Sequence, residues 1–127
     1  MQKILLVDDS ELYLEVARNI LKDKYDMITA KSGKEALGYL AKGIVPNLIL
    51  LDILMPEMDG WDVFKLIKGI SLLRDVPIAF LSALDDEAVK DHASGLGATD
   101  FITKPFKEEL LIGRIDSIIE KHQTKNY

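Results

Sequence analysis

The chain has 127 residues, which suits one domain and leaves little room for a second. Hydrophobic residues make up 48% and charged residues 29%, a balance that predicts a soluble protein with a substantial core. Sixteen basic and twenty-one acidic residues give a net charge of -5, which argues against nucleic acid as the direct partner because phosphate binding depends on a basic surface.

The chain begins MQKILLVDDS, in which an apolar run of four residues is followed by acids. This start is neither a signal peptide nor a membrane span, and no later apolar stretch approaches eighteen residues. We therefore expect a cytoplasmic protein without membrane contact. The absence of cysteine excludes disulfides, thiolate metal sites and cysteine nucleophiles.

Short apolar runs recur along the chain and predict five strands. They lie at residues 4–7, 27–28, 48–51, 78–81 and 101–102. Three of these runs, the first, third and fourth, are apolar at every position and not at alternate ones. That pattern is typical of strands covered on both faces.

Five amphipathic stretches alternate with these runs and predict helices. Their apolar faces carry Leu14, Ala17, Ile20 and Leu21; Ala36, Leu37, Leu40 and Ala41; Val63, Phe64, Ile67 and Ile70; Ala88, Val89, His92, Ala93 and Leu96; and Leu111, Ile115, Ile118 and Ile119. Ser32 and Glu35 form a capping box before the second helix. Gly95 and Gly97 are expected to stop the fourth helix.

Strands that alternate with helices predict βαβ units, and hence a doubly wound α/β fold with a parallel sheet. We expect one domain over residues 1–121, followed by a polar tail over 122–127. In such a sheet the ligand site lies beyond the carboxyl ends of the strands.

Polar, chemically competent residues follow four of the five predicted strands. Asp8 and Asp9 follow the first, Asp52 the third, Ser82 the fourth and Lys104 the fifth. Taken singly, an Asp or Ser at such a position is more often a helix cap, and a Lys is more often solvated. The functional interpretation depends on their convergence at one edge of the sheet.

Three carboxylates at one edge repel each other unless a cation lies among them. Their hard oxygen atoms favour Mg2+ over zinc or copper. Together with Lys104 and one Mg2+, they give a total charge near zero, which tolerates an arriving phosphoryl group. Because Asp52 follows the most continuous apolar run, chemistry suggests it as the nucleophile, with Asp8 and Asp9 as metal ligands.

These residues resemble the receiver domain of bacterial two-component response regulators, the family of the chemotaxis response regulator. Four stretches carry the resemblance in order: ILLVDDS, LILLDILMPEMDG, PIAFLSA and GATDFITKPF. Each is weak alone, but four at this spacing are specific and cover essentially the whole chain. The resemblance implies a flavodoxin-like receiver fold with strand order 2-1-3-4-5.

The resemblance also implies a role for each matching position. Asp8 and Asp9 correspond to the acidic pair that binds Mg2+, Asp52 to the phosphorylated aspartate, and Leu54 to a residue whose backbone carbonyl binds the metal. Two further correspondences complete the site: Ser82 matches the hydroxyl that engages the phosphoryl group, and Lys104 the phosphate-binding lysine. Phe101 matches the aromatic that turns inward on activation, and Lys104-Pro105 matches a peptide that receivers hold in the cis form.

In this family the phosphoryl donor is a phosphohistidine on a sensor histidine kinase or phosphotransfer protein, or a small acyl phosphate. The resemblance therefore implies a phosphorelay switch that assists its own modification and is not a turnover enzyme. The surface of the fourth helix, fifth strand and fifth helix is where protein partners, or a second copy in a phosphorylation-dependent homodimer, dock in this family. No output domain follows in this sequence, so we expect action through partner proteins, or a piece of a longer regulator.

Leu54 and Leu84 lie two residues beyond Asp52 and Ser82 and are apolar, where polar side chains in receivers can orient the hydrolytic water. We therefore expect a long-lived phosphorylated form. An alternative class, the Mg2+-dependent phosphatase with an Asp nucleophile, needs a carboxylate at the position of Leu54. A degenerate receiver that only binds a partner would lack an acid, the hydroxyl or the lysine, and all are present.

Other prominent residues have ordinary interpretations. Trp61 and His92 are expected to pack or face solvent, and His122 to lie in the tail without a metal partner. Asp59 is expected to cap the third helix, and Gly60 to serve a backbone turn.

Overall fold

A five-stranded parallel sheet forms the centre of the computed structural model, which describes residues 1–125, with side chains through residue 123. Its strands are β1 (Lys3–Val7), β2 (Asp26–Ala30), β3 (Leu48–Leu51), β4 (Ile78–Ser82) and β5 (Asp100–Thr103). Their order across the sheet is β2-β1-β3-β4-β5, and each neighbouring pair is parallel. The predicted fold class and strand order are confirmed, and β3 is the central strand.

Five α-helices connect and follow the strands: α1 (Glu11–Leu21), α2 (Gly33–Ala41), α3 (Gly60–Lys68), α4 (Glu87–Leu96) and α5 (Glu108–Lys125). A short 3-10 helix, Ser71–Leu73, follows α3. Each of the first four helices begins at a side-chain cap that accepts a hydrogen bond from the N–H three residues on; the caps are Ser10, Ser32, Asp59 and Asp86. The predicted caps at Ser32 and Asp59 are confirmed.

Two apolar layers enclose the sheet, one on each face. Helices α2, α3 and α4 cover one face, and α1 and α5 cover the other. Alternate side chains of one strand enter opposite layers: Leu5 and Val7 enter the first, Ile4 and Leu6 the second. Each is fully buried, which is worth about 1.5–3 kcal/mol per side chain. This double coverage explains why residues 4–7, 48–51 and 78–81 are apolar at every position.

The end of α4 differs from the prediction that Gly95 and Gly97 together stop the helix. Gly95 lies within the helix, and Gly97 caps it with a φ of 98°. That conformation is left-handed, and glycine adopts it without the steric cost that a Cβ brings. The stop signal therefore belongs to Gly97.

Helix α5 is longer than the sequence pattern predicts, because it continues to Lys125. Residues 122–125 of the predicted polar tail are therefore helical, and residues 126–127 lie outside the described residues. Polar residues such as Lys121 and Gln123 are good helix formers and extend the helix beyond its apolar face. The division into a domain over 1–121 and a tail remains a prediction. Within the described residues, neither α5 nor another helix is long and apolar enough to cross a bilayer.

Candidate functional site

The register of β1 and β3 positions two carboxylates side by side. Val7 pairs with Leu51, so the next residues, Asp8 and Asp52, leave the sheet together. The Asp52 N–H donates to the Val7 carbonyl at 2.9 Å, which continues the strand pairing to the acid itself. Both acids are buried, with only 1% and 4% of their surfaces exposed. The sheet therefore holds two acidic side chains out of water at its carboxyl edge.

A third carboxylate, that of Asp9, completes an acidic cluster with Asp8 and Asp52. One oxygen from each residue lies within 4.8 Å of the others, and Asp9 is exposed while the other two are buried. Asp8 Oδ1 also accepts a hydrogen bond from the Ser10 N–H at 2.9 Å. This bond orients Asp8 at the point where the chain enters α1.

Lys104 brings a positive charge to the cluster from the loop after β5. Its Nζ lies 2.5 Å from Asp8 Oδ2 and 3.6 Å from Asp52 Oδ1, and its side chain is only 7% exposed. The Lys104 N–H donates to the Ser82 carbonyl at 2.8 Å, which fixes the loop against β4. The Lys104-Pro105 peptide is cis, as the resemblance implies.

The ionisation of Asp52 reflects this crowding. Burial raises the pKa of Asp52 to about 7, and the neighbouring charge of Asp8 acts in the same direction, while Lys104 opposes it. The cluster holds three carboxylates, and the Lys104 ammonium pairs with two of them, Asp8 and Asp52, so negative charge is in excess. A perturbed carboxyl group with identified charge partners is typical of functional sites.

The donor set of this cluster fits a hard divalent cation. All its side-chain ligands are carboxylate oxygens, and Mg2+ prefers oxygen ligands together with several waters. The exposed Asp9 leaves one side of the cluster open to water. The residues present are therefore chemically suited to Mg2+.

The other predicted site residues, Ser82, Phe101 and Leu54, differ in burial. Ser82 is fully buried at the end of β4, and its Oγ accepts a hydrogen bond from the Leu84 N–H at 3.1 Å. Phe101 is partly buried in β5, where it pairs across the sheet with Phe80. Leu54 follows β3 with 55% of its surface exposed. Ser82 and Leu54 thus lie at or just beyond the carboxyl ends of their strands, whereas Phe101 is the second residue of β5.

Gly60 has a different structural reason from the predicted turn. A Cβ at this position would lie 2.3 Å from the Asp52 carbonyl oxygen and 2.7 Å from Ile53 Cα. No side chain can fit so close to backbone atoms. The Gly60 N–H also donates to the Ile53 carbonyl at 2.8 Å. Because glycine has no Cβ, the start of α3 can pack directly against the backbone of Asp52.

Trp61 and His92 form an aromatic contact between α3 and α4. The Trp61 ring meets the Phe80 ring edge-on at 4.8 Å between centroids, and the His92 ring at 4.6 Å. These contacts agree with packing, one of the two alternatives, packing or solvent exposure, predicted for Trp61. They connect β4, beside the site, to the surface helix α4.

One neighbour of the site was not predicted from the sequence. The ring of Tyr13, in the first turn of α1, faces Lys104, with Nζ 4.3 Å from the ring centroid. Tyr13 also packs against Phe106, with 6.0 Å between ring centroids. The available signal was its position three residues after the cap Ser10, where the first turn of α1 emerges beside Asp8 and Asp9.

Comparison with known proteins agrees with this geometry. The model of the response regulator receiver domain matches residues 4–116. The chain therefore belongs to the response regulator receiver domain family, a class of signalling domains of two-component systems. Partners of such domains include histidine kinases and phosphotransfer proteins.

Individual relatives extend the comparison. The alkaline phosphatase synthesis transcriptional regulatory protein PhoP of Bacillus subtilis is 37% identical over 123 residues, which are 96% of this chain and 50% of that protein. The chain spans between 26% and 54% of the length of this and other curated relatives, such as the response regulators PleD and SaeR.

Solved structures of single domains match over nearly their whole length. The chemotaxis protein CheY4 of Vibrio cholerae superposes with a TM-score of 0.86 at 31% identity, covering 93% of this chain and 98% of that one. The signal receiver domain of a histidine kinase from Syntrophus aciditrophicus gives a TM-score of 0.85 at 34% identity, covering 95% and 92%. The chain therefore covers nearly the whole of these two solved structures but only part of the longer regulators.

Proposed function

We propose that this domain is a phosphorelay switch in which Asp52 accepts a phosphoryl group. The observation that carries the proposal is the burial of Asp52 between Asp8 and Lys104 at the end of the central strand. A buried carboxylate with excess negative charge beside it lowers the free energy of unfolding, and such a destabilising arrangement is typical of a functional site. Membership of the receiver family supports the same role.

Asp8, Asp9 and Asp52, with the backbone carbonyl of Leu54, would hold Mg2+. When bound, the ion supplies positive charge to the oxygens of the transferring phosphoryl group. The carboxylate cluster supports this assignment because its three oxygens lie within 4.8 Å of one another. The open side at Asp9 would admit the donor.

In the transfer step, one carboxylate oxygen of Asp52 attacks phosphorus in line with the leaving group. The new P–O bond forms as the P–N bond of a phosphohistidine breaks, and the electron pair stays on the imidazole nitrogen. For a small acyl phosphate, the P–O bond to the carboxylate breaks instead. Lys104 binds a phosphoryl oxygen as a point charge, and Ser82 donates its hydroxyl proton in a hydrogen bond to another.

The signal would reach a partner surface through packed side chains. We expect Ser82 to leave the Leu84 N–H for the phosphoryl group, and Phe101 to turn inward beside Phe80. Phe80 contacts Trp61, which contacts His92 on α4. This continuous aromatic contact supports a coupled change on the surface formed by α4, β5 and α5, where a downstream protein, an output domain or a second copy would dock.

The proposed activity is one modification per chain and not turnover. A sensor histidine kinase or phosphotransfer protein would supply the phosphoryl group in the cytoplasm, and water would later remove it from Asp52. A phosphatase with an Asp nucleophile needs an acid–base group, and the exposed Leu54 at that position offers none.

Intact-mass spectrometry with acetyl phosphate tests the proposal. With Mg2+ we expect one phosphoryl addition that is stable to acid and labile to base, and we expect none in EDTA. Asp52→Asn should abolish the addition. The matched control is Asp26→Asn, an exposed acid at the other end of the sheet, which should retain it.

Two outcomes would contradict the proposal. An addition that persists in Asp52→Asn places the chemistry elsewhere. Consumption of many equivalents of acetyl phosphate without a phosphorylated chain would indicate a phosphatase.

A further inference from the structure

The Lys104 ammonium group has three close neighbours, two carboxylates and one aromatic ring. Asp8 lies at 2.5 Å, Asp52 at 3.6 Å, and the face of the Tyr13 ring at 4.3 Å from its centroid. The two acids attract the ammonium toward the floor of the site. The ring covers the ammonium on a further side, and the Lys104 side chain is left only 7% exposed.

The face of an aromatic ring carries partial negative charge, which attracts a cation without forming a salt bridge. Unlike a carboxylate, it neither repels an arriving phosphoryl group strongly nor takes a metal position. Such a contact holds an ammonium near the site while its N–H donors stay available to an anion. An apolar side chain of similar size would fill the space without the attraction.

The ring itself is held in place by its neighbours. Tyr13 lies in the first turn of α1, where its N–H donates to the cap Ser10 Oγ at 3.4 Å. Its other ring contact is with Phe106, two residues beyond Lys104 in the loop that carries the lysine. Tyr13 thus joins the start of α1 to the loop of Lys104.

We infer that Tyr13 is a positioning residue for phosphoryl transfer, because its ring face holds the Lys104 ammonium where an incoming phosphoryl oxygen needs it. This inference rests on the proposed function and adds a residue to its site. It assigns the effect to the ring and not to the phenolic hydroxyl. Replacement by Phe should therefore preserve the effect, and replacement by Leu should remove it.

The first measurement is the rate of phosphorylation by acetyl phosphate in Mg2+, followed by intact mass. We expect Tyr13→Phe to react within about twofold of the unmodified chain, and Tyr13→Leu to react roughly three- to tenfold more slowly, the range that corresponds to a cation–π contact. Tyr13→Met provides a second non-aromatic variant in case the Leu variant does not fold. Tyr39→Leu, on α2, controls for loss of a tyrosine elsewhere and should react at the unmodified rate.

The second measurement needs no phosphorylation. Protons above a ring face are shielded, so the Lys104 Hε signal should lie upfield in the unmodified chain and in Tyr13→Phe. It should move downfield in Tyr13→Leu. The signal is assigned by its disappearance in Lys104→Gln.

The outcomes separate this inference from the proposed function. If the unmodified chain is phosphorylated and Tyr13→Leu and Tyr13→Met react at the same rate as Tyr13→Phe, the positioning role is wrong and the proposed function stands. If Tyr13→Phe is as slow as Tyr13→Leu, the hydroxyl and not the ring face is responsible, and the inference is overturned. If the unmodified chain is not phosphorylated at all, the proposed function fails, and a Lys104 Hε signal without an upfield shift would show separately that the contact is absent.

Discussion

At the amino ends of the strands, Asp116 accepts hydrogen bonds from Tyr25 Oη and from Lys24 Nζ, each at 2.5 Å. Nearby, Asp100 pairs with Arg114 at 2.7 Å. These carboxylates have their own donors. At the carboxyl ends, Asp8 and Asp52 share the ammonium of Lys104, and Asp9 adds a third carboxylate to the cluster. The acidic side chains at the amino ends are therefore matched by donors, whereas those at the carboxyl ends outnumber the positive charge beside them.

The ionisation of these groups follows the same contrast. Burial pushes the pKa of Asp116 upward, but hydrogen bonds from Lys24 and Tyr25 outweigh it and the pKa falls below its usual value. Burial and the repulsion of Asp8 raise the pKa of Asp52 to about 7, against the pull of Lys104. At the amino end, the paired donors stabilise the charged form of Asp116. At the carboxyl end, the charged form of Asp52 is destabilised, so that a bound cation or a phosphoryl group would stabilise the folded chain.

The largest effect on stability should come from removing the charge of Asp52. Its pKa is higher in the folded chain than the usual 3.8, so the folded state holds its proton between about pH 4 and about pH 7. Stability from this group is present below about pH 4 and is lost as the pH rises toward 7. Without Mg2+ at pH 8, Asp52→Asn should be more stable than the unmodified chain by roughly 2 kcal/mol in urea unfolding.

The same pair of proteins should differ little at pH 4, where Asp52 is protonated. Saturating Mg2+ should stabilise the unmodified chain more than Asp52→Asn. It should therefore reduce the difference in free energy of unfolding between the two proteins at pH 8. Asp26→Asn, at the exposed amino end of β2, serves as the control: it keeps Asp52, so it should lose stability between pH 4 and pH 8 as the unmodified chain does. If Asp52→Asn is less stable than the unmodified chain at pH 8, the charged Asp52 carboxylate does not destabilise the fold, and the contrast between the two ends is wrong.

The next effect concerns metal affinity. Asp9 is the exposed member of the cluster, so Asp9→Asn should leave the fold intact and weaken Mg2+ binding by about tenfold or more, equivalent to about 1.4 kcal/mol. Isothermal titration calorimetry measures this directly. Equal Mg2+ affinity in Asp9→Asn and Asp26→Asn would show that the cluster is not the metal site.

A smaller effect should follow from breaking the network at the amino end. Tyr25→Phe removes the hydroxyl that donates to Asp116 and should lower the free energy of unfolding by about 1 kcal/mol. The rate of phosphorylation by acetyl phosphate should not change, because Tyr25 lies at the other end of the sheet. A slower reaction in this variant would mean that the two ends are coupled.

The smallest effect concerns the lifetime of the phosphorylated form. Leu54 is exposed and Leu84 is partly buried against the core, and neither can hydrogen-bond a hydrolytic water. Leu54→Asn should accelerate dephosphorylation roughly threefold, and Leu84→Glu should act in the same direction. The decay of the phosphorylated mass after removal of acetyl phosphate measures this. Unchanged decay in both variants would contradict the assignment of a long lifetime to these leucines.

The sheet was predictable because short apolar runs, three of them apolar at every position, alternate with amphipathic stretches. The register then brings Asp8 beside Asp52, since the carboxyl ends of neighbouring parallel strands meet at one edge. Strand order and the cis Lys104-Pro105 peptide came from the family resemblance, because no periodicity encodes them.

The contacts that the sequence did not predict join residues far apart in the chain. Tyr25 and Asp116 are separated by 91 residues, and Tyr13 in α1 contacts Lys104 in the loop after β5. Such pairs depend on how helices pack on the sheet, which composition and spacing do not specify. Gly60 was assigned to a turn for a related reason, since its close approach to Asp52 exists only in the assembled structure.

Reductive trapping tests the central claim most directly, because borohydride converts an aspartyl phosphate into homoserine at the modified position. The chain is incubated with acetyl phosphate and Mg2+, reduced, digested and sequenced by mass spectrometry. We predict homoserine at position 52 and unmodified aspartate at positions 8 and 9, with no homoserine when acetyl phosphate is omitted. Homoserine at position 8 or 9, or at no position, would contradict the assignment of Asp52 as the phosphoacceptor.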